Sequence, residues 1–241
     1  MEPTVLLARF AARGFVVLPS LITLERVVEL SRAINRDMKT NPFMWHEFEG
    51  AVVNRNALLS VEGVAQIVLD PLVRALVGEI FEGRARFEEA VVQLYAAGRA
   101  HAETDWHRDV PHNLDNPYRA EYVQLLVYLS EVTPQTHRFS IFAESRDEPL
   151  AGEAEPTGSA EPFDFVGAPG SAILFNASSL HGARRALDGR GRRSLHVYYG
   201  HADRPCSSES TIVPARLMRS LAPEDAALFD KRNRLSTLIF T

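Results

Sequence analysis

Thr104-Asp105-Trp106-His107-Arg108-Asp109-Val110 carries the donor pattern that decides the architecture of this chain. On an extended strand, residues i and i+2 project to the same side. His107 and Asp109 can therefore offer an imidazole nitrogen and a carboxylate oxygen to one point in space. A second histidine has to come from elsewhere, and His181 is placed to do so. It follows the apolar strand Ser171 to Phe175 and the small-residue turn Asn176 to Ser179. Two histidines and one carboxylate on one face of an iron(II) ion leave three coordination positions open.

Arg192 stands eleven residues beyond His181, and Ser194 shares its strand face. A guanidinium grips a carboxylate through two parallel hydrogen bonds, and a hydroxyl adds a third. The far carboxylate of 2-oxoglutarate needs such a grip once its keto-acid end chelates a metal.

The surrounding sequence supplies a β scaffold. Val91–Tyr95, Tyr122–Leu129, Phe139–Phe142, Ala172–Phe175 and Leu195–Tyr199 are short, rich in β-branched and aromatic residues, and bounded by turn formers. Several short strands with irregular loops predict a sandwich or barrel. Before them the text is mainly helical. Leu6–Ala12 is amphipathic and Gly14 can end it. Phe15–Leu18 is an apolar strand stopped by Pro19. Thr23 caps a helix carrying Val27, Leu30 and Ile34 at helical spacing. Asp70-Pro71 is a capping carboxylate followed by proline at the first helical position. The stretch 146–170, rich in Glu, Pro, Gly and Ala, is expected to be a mobile surface loop of the kind that lids a site. Pro223–Asn233 is expected to be a closing helix. The outline is one domain over 1–241: a mainly helical layer over 1–85, a β core over 86–205 and a C-terminal extension over 206–241.

Composition narrows the function classes. The chain has 241 residues, enough for one well-buried domain. Net charge is −5, so no basic field argues for nucleic acid or an anionic membrane. Its single cysteine, Cys206, excludes an internal disulfide framework and a thiolate metal cluster. The N-terminus carries an acid where a signal peptide carries positive charge. No apolar run reaches the roughly 18 residues of a membrane span. A cytoplasmic protein acting on a small molecule is the expectation.

With these residues in view, the sequence resembles the phytanoyl-CoA dioxygenase-like branch of the iron(II)/2-oxoglutarate oxygenases. Phe10-Ala11-Ala12-Arg13-Gly14-Phe15-Val16-Val17-Leu18-Pro19 opens the resemblance. Trp106-His107-Arg108-Asp109 and Tyr128-Leu129-Ser130 continue it, and His181 followed by Arg192 closes it. The resemblance implies a mainly β fold, a double-stranded β-helix (jelly roll) core with flanking α-helices. It implies Fe(II) on His107, Asp109 and His181, with 2-oxoglutarate on Arg192 and O2 as the oxidant. The implied reaction is hydroxylation or a related oxidation of an unactivated C–H bond, with succinate and CO2 as co-products. Asp109 matters here, because halogenating relatives lack that carboxylate. One segment departs from the family: Thr136–Ser145 stands where a Gly-rich turn and a Pro-Gly-Ser-His segment are usual.

Further residues are candidates for the pocket. Gln93 is placed to meet 2-oxoglutarate, and Tyr95, His112, Gln124 and Tyr128 to meet substrate. Gln124, Leu126 and Tyr128 share a strand face that the family turns inward. Trp106 is expected as a wall of the core. His137, His196 and His201 are expected to pack or face solvent. Most of the arginines at 184, 185, 190, 192 and 193 are expected to be a solvated turn around Asp188-Gly189. His101-Ala102-Glu103 is a rival His-x-carboxylate pair, ranked lower because Gly98–Ala102 is expected to be a loop. Two other functions stay open: a cupin-like metalloenzyme that does not use 2-oxoglutarate, and a non-catalytic small-molecule-binding jelly roll.

Overall fold

The computed structural model describes residues 2–98, 101–147 and 161–230. In chain order its elements are α1 (Pro3–Arg13), β1 (Phe15–Leu18), α2 (Leu24–Thr40), β2 (His46–Phe48), β3 (Ala51–Asn54), α3 (Ala57–Ser60), α4 (Val64–Val68), α5 (Pro71–Ile80), β4 (Ala85–Tyr95), β5 (Tyr122–Tyr128), β6 (Phe139–Ile141), β7 (Phe163–Phe165), β8 (Ala172–Asn176), β9 (His181–Ala183), β10 (Arg192–His201), α6 (Ala215–Ser220) and α7 (Pro223–Ala226). A seven-stranded sheet runs β1-β8-β5-β10-β4-β3-β2, and a three-stranded sheet runs β7-β6-β9. Every strand pairing is antiparallel. The two sheets form the double-stranded β-helix, mainly β with helices on its flank.

The helices form where the sequence punctuates them. Gly14 ends α1 in the left-handed region at φ 73°, and its amide donates to the Phe10 carbonyl. The Thr23 side chain accepts from the Arg26 amide, and Asp70 accepts from Leu72 and Val73. Val27, Leu30, Ala33 and Ile34 of α2 are buried in the larger core, which also takes Val73, Leu76, Val77 and Ile80 of α5. The outer face of the large sheet supplies Val92, Val123, Leu125, Val127, Leu195, Val197 and Tyr199 to that core.

The helical layer is less purely helical than expected. Residues 46–54 form a hairpin, with Phe48 opposite Ala51, and β3 extends the large sheet beside β4. Its turn is Glu49-Gly50, both at positive φ (48° and 75°). Positive φ at both central residues is the pattern of the tight hairpin turn that matches strand twist. A buried carboxylate anchors the hairpin. Asp37 accepts from Asn41 Nδ2 (2.6 Å), Trp45 Nε1 (2.9 Å), Asn54 Nδ2 (3.1 Å) and Ser60 Oγ (3.0 Å).

Three further expectations are corrected. Residues 107–109 do not form a continuous strand: His107 makes a single bridge to His181, and Asp109 lies in a bend. The stretch 146–170 contains a strand, β7, because Phe163 and Phe165 pair with Ile141 and Phe139; residues 148–160 lie outside the described residues. The closing helix is short, since α7 gives way to a 3-10 turn at Ala227–Phe229, and 231–241 lie outside the described residues. No helix among the described residues is long and apolar enough to cross a membrane.

Candidate metal centre

His107 and His181 are cross-strand partners. Each amide donates to the other's carbonyl at 3.0 Å, and the ring centroids lie 4.5 Å apart. Asp109 is fixed by its amide, which donates to the Ala177 carbonyl at 3.0 Å. The convergence read from strand periodicity thus arises from one bridge and one turn hydrogen bond.

The two imidazoles are oriented alike. His107 Nδ1 donates to the Asp105 carbonyl and His181 Nδ1 to the Ser179 carbonyl, both at 2.8 Å. A carbonyl only accepts, so each Nδ1 carries the proton and each neutral ring turns a lone pair outward at Nε2. Those Nε2 atoms lie 3.5 Å (His107) and 3.6 Å (His181) from one oxygen, Asp109 Oδ1. A divalent ion at roughly 2 Å from each donor spans such separations. The second oxygen, Oδ2, accepts from the Tyr198 hydroxyl at 2.8 Å. This donor set fits a hard-to-borderline divalent cation held on one side only.

Electrostatics agree with that fit. Burial works to raise the Asp109 carboxyl, but the neighbouring imidazoles of His107 and His181 and the hydrogen bond from the Tyr198 hydroxyl hold it below the usual carboxylate range. Burial pushes His181 down, keeping it neutral, while the Asp109 carboxylate pulls His107 up.

The three ligand candidates open onto a cavity of about 210 Å³ that Arg192, Gln93, Tyr95, Gln124, Leu126 and Phe139 also line. Arg192 is 3% exposed. Its Nη1 donates to the His137 carbonyl (3.0 Å), its Nη2 to Gln93 Oε1 (3.1 Å), and its guanidinium lies 4.7 Å over the Tyr95 ring. Five N–H groups serve two acceptors here, and the buried Nε has no partner among the described residues. A buried cation with spare donors facing a cavity fits an anionic ligand, and a dicarboxylate such as 2-oxoglutarate matches it.

Of the residues singled out in the sequence, Gln93, Tyr95 and Gln124 line this cavity, whereas three candidates do not reach it. Ser194 Oγ is hydrogen-bonded to His196 Nε2 at 3.0 Å, and His196 takes its place on the wall. His112 points to Glu144, 3.3 Å from Oε2, because the chain turns away after Asp109. Tyr128 is wholly buried, donating to the Phe165 carbonyl and accepting from the Phe139 amide. The rival pair is also dispersed: His101 Nε2 donates to the Ala96 carbonyl, and Glu103 pairs with Arg184. Trp106 packs on Phe142 beneath Arg184, as a wall residue does.

Tyr198, His196, Phe139 and the hairpin residues Phe48 and Glu49 were missed as pocket residues. A signal for the first two was present. Counting by twos from Arg192 gives Ser194, His196 and Tyr198, one face of β10. The register sets Gln93 beside Ser194, Val91 and Leu126 beside His196, and Glu89 and Gln124 beside Tyr198.

A family model described as phytanoyl-CoA dioxygenase matches residues 10–194. AviO1 from Streptomyces viridochromogenes Tue57 superposes with a TM-score of 0.65 at 17% identity, over 85% of this chain and 97% of that one. HygX from Streptomyces hygroscopicus, solved with nickel and 2-oxoglutarate, gives 0.67 at 19% identity, over 88% and 92%. The epimerase SnoN, solved with Fe3+, alpha ketoglutarate and nogalamycin RO, gives 0.68 at 16% identity, over 86% and 87%. At such identities the likeness is one of fold. No curated protein gives a significant sequence match.

Proposed function

The chain belongs to the phytanoyl-CoA dioxygenase family, whose members use iron(II), 2-oxoglutarate and O2, and from that premise we propose that it oxidises an unactivated C–H bond of a small-molecule substrate. His107, Asp109 and His181 hold the iron and Arg192 holds the far carboxylate of 2-oxoglutarate. The observation that carries this reading is the aim of two histidine Nε2 atoms at one oxygen of Asp109, 3.5 and 3.6 Å away.

Iron with 2-oxoglutarate and O2 supplies the oxidising power, leaving succinate and CO2 as co-products. The protein's own residues bind, orient and exclude water. Arg192 meets the co-substrate's far carboxylate with the N–H groups that Gln93 and the His137 carbonyl leave over. Phe139 packs against the His181 ring at 5.6 Å between centroids and, with Leu126, keeps part of the wall apolar. Glu89, Gln124 and Tyr198 make a polar row across three strands, suited to hydroxyl or amine groups of a substrate. The occupants of structural neighbours, nogalamycin RO in SnoN and hygromycin B in HygX, support a secondary-metabolite setting.

Succinate release from 2-oxoglutarate under air, with iron(II) and ascorbate, tests the reading. Without oxygen, iron(II) and 2-oxoglutarate together should give a weak visible charge-transfer band even with no substrate. A cupin-like metalloenzyme would bind the metal and give neither signal, and a non-catalytic binding protein would release no succinate. Arg192→Ala should weaken 2-oxoglutarate binding roughly 100-fold and metal binding hardly at all. An equal loss of both would remove Arg192 from its assigned role.

A further inference from the structure

We propose that Tyr198 is a positioning residue that makes Asp109 a one-oxygen ligand; this rests on reading His107, Asp109 and His181 as the metal-binding set. The carboxylate is divided in its contacts. Oδ1 faces the Nε2 atoms of both histidines, and Oδ2 accepts the Tyr198 hydroxyl at 2.8 Å.

The two partners differ in how firmly the fold holds them. Asp109 lies in a bend outside the named strands, tied by its amide to Ala177. Tyr198 stands inside the large sheet on β10, paired with Glu89 of β4 on one side and Gln124 of β5 on the other. A carboxylate on a turn rotates about its terminal torsion, for which staggered wells give little restraint. A phenol on a central strand does not move with it. The hydrogen bond therefore transfers the rigidity of the sheet to the carboxylate plane, in the way that outer partners orient metal ligands. With Oδ2 engaged, only Oδ1 is presented toward the histidines. Tyr198 acts through Asp109, and its ring also lines the cavity.

Tyr199 provides an internal control. It is the next residue on β10, faces the opposite side, and donates its hydroxyl to the Val68 carbonyl at 2.9 Å. Tyr198→Phe and Tyr199→Phe each delete one hydroxyl hydrogen bond and leave the ring.

The test uses Co(II) as the probe, titrated into the wild-type chain, His107→Ala, Tyr198→Phe and Tyr199→Phe. Dissociation constants, d–d absorption and thermal midpoints are recorded. Tyr198→Phe should bind Co(II) roughly ten-fold more weakly, with d–d bands altered in position and intensity as Oδ2 is freed. Tyr199→Phe should melt lower and bind Co(II) with the wild-type constant and spectrum. Tyr198→Leu reads the same quantities if the Phe variant does not fold. A Tyr198→Phe protein with wild-type affinity and bands overturns the inference and leaves the metal site standing. Failure of the wild-type chain to take up Co(II), or uptake that survives His107→Ala, removes the metal site and this inference together.

Discussion

Arg108 and Glu144 form a two-pronged ion pair directly behind the candidate ligands, Nη1 to Oε2 at 2.8 Å and Nη2 to Oε1 at 2.7 Å. Arg108 lies between His107 and Asp109 in the chain, and its Nη1 also donates to the Ser178 carbonyl at 2.6 Å. One side chain thus ties the segment bearing two ligands to the turn bearing the third. Both partners are largely buried, with side chains 11% and 7% exposed. Removing one member of a buried pair strands the other's charge, at a cost of about 3 kcal/mol. Arg108→Ala should lose about that much in urea denaturation, softened by His112 near the same carboxylate, and should weaken Co(II) uptake. Arg108→Lys should recover little, since an ammonium cannot fork. In the double variant with Glu144→Ala the losses should fall well short of additive. Additive losses would show that the pair does not act as a unit.

Gly14 should be irreplaceable for a reason beyond its backbone. At φ 73°, a Cβ built there lies 2.6 Å from Ser179 Oγ and 3.2 Å from the Glu144 carbonyl. Ser179 is the residue whose carbonyl orients the His181 ring. Gly83 has a similar φ of 79° and nothing within 4 Å of such a Cβ. Gly83→Ala should therefore cost only the left-handed backbone penalty, about 1 kcal/mol. Gly14→Ala should cost more and should also lower metal affinity. Equal thermal shifts for the two variants, with Co(II) binding intact in both, would rule out the coupling.

These two contacts show what the sequence could and could not disclose. His107, Asp109, His181 and Arg192 were legible because each is a chemically distinctive residue at a recognisable spacing. Strand alternation accounts for the first two only in part, because a bridge to His181 and a turn hydrogen bond to Ala177 bring them together. The hairpin at 46–54 is hidden in the sequence because His46-Glu47-Phe48 lies on the exposed side of the fold and offers no apolar alternation. Ser194 was misplaced because strand parity fixes a face but not which rung reaches the ligand. Glu144 could not be paired with Arg108 at all, since a contact across 36 residues leaves no local pattern.

The Asp37 network should hold the hairpin that walls the cavity. Four donors from Asn41, Trp45, Asn54 and Ser60 converge on one carboxylate that is 3% exposed. Asp37→Ala takes the acceptor from one buried donor, Asn54, and from three half-buried ones, and a loss on the order of 2 kcal/mol follows. The loss should be local first. Hydrogen exchange of a peptide covering residues 46–54 should speed up more than exchange in β5 or β10. Uniform acceleration across the sheet would mean that Asp37 supports the whole fold and not the hairpin.

Stability should fall as the solution is acidified below neutrality, and two histidines should account for part of the slope. His137 is 1% exposed, and neither ring nitrogen makes a well-formed hydrogen bond among the described residues. Burial, then the nearby Arg192 charge, pushes it down to about 3. The same two causes push His196 down to about 3. In the unfolded chain both titrate near 6.5. Between those values the unfolded chain binds protons that the folded chain refuses, so unfolding takes up as many as two protons and stability is lost as pH falls. The full contribution is present above about 6.5 and drains away toward 3. His137→Leu keeps the volume and the backbone carbonyl that accepts Arg192, and removes one titrating group. Its stability, measured by urea denaturation from pH 7.5 to 4.5, should decline with a slope shallower than wild type by close to one proton. Parallel curves for the two proteins would mean that His137 takes up its proton in the folded state as readily as in the unfolded one, and the source of any acid sensitivity would have to be sought elsewhere.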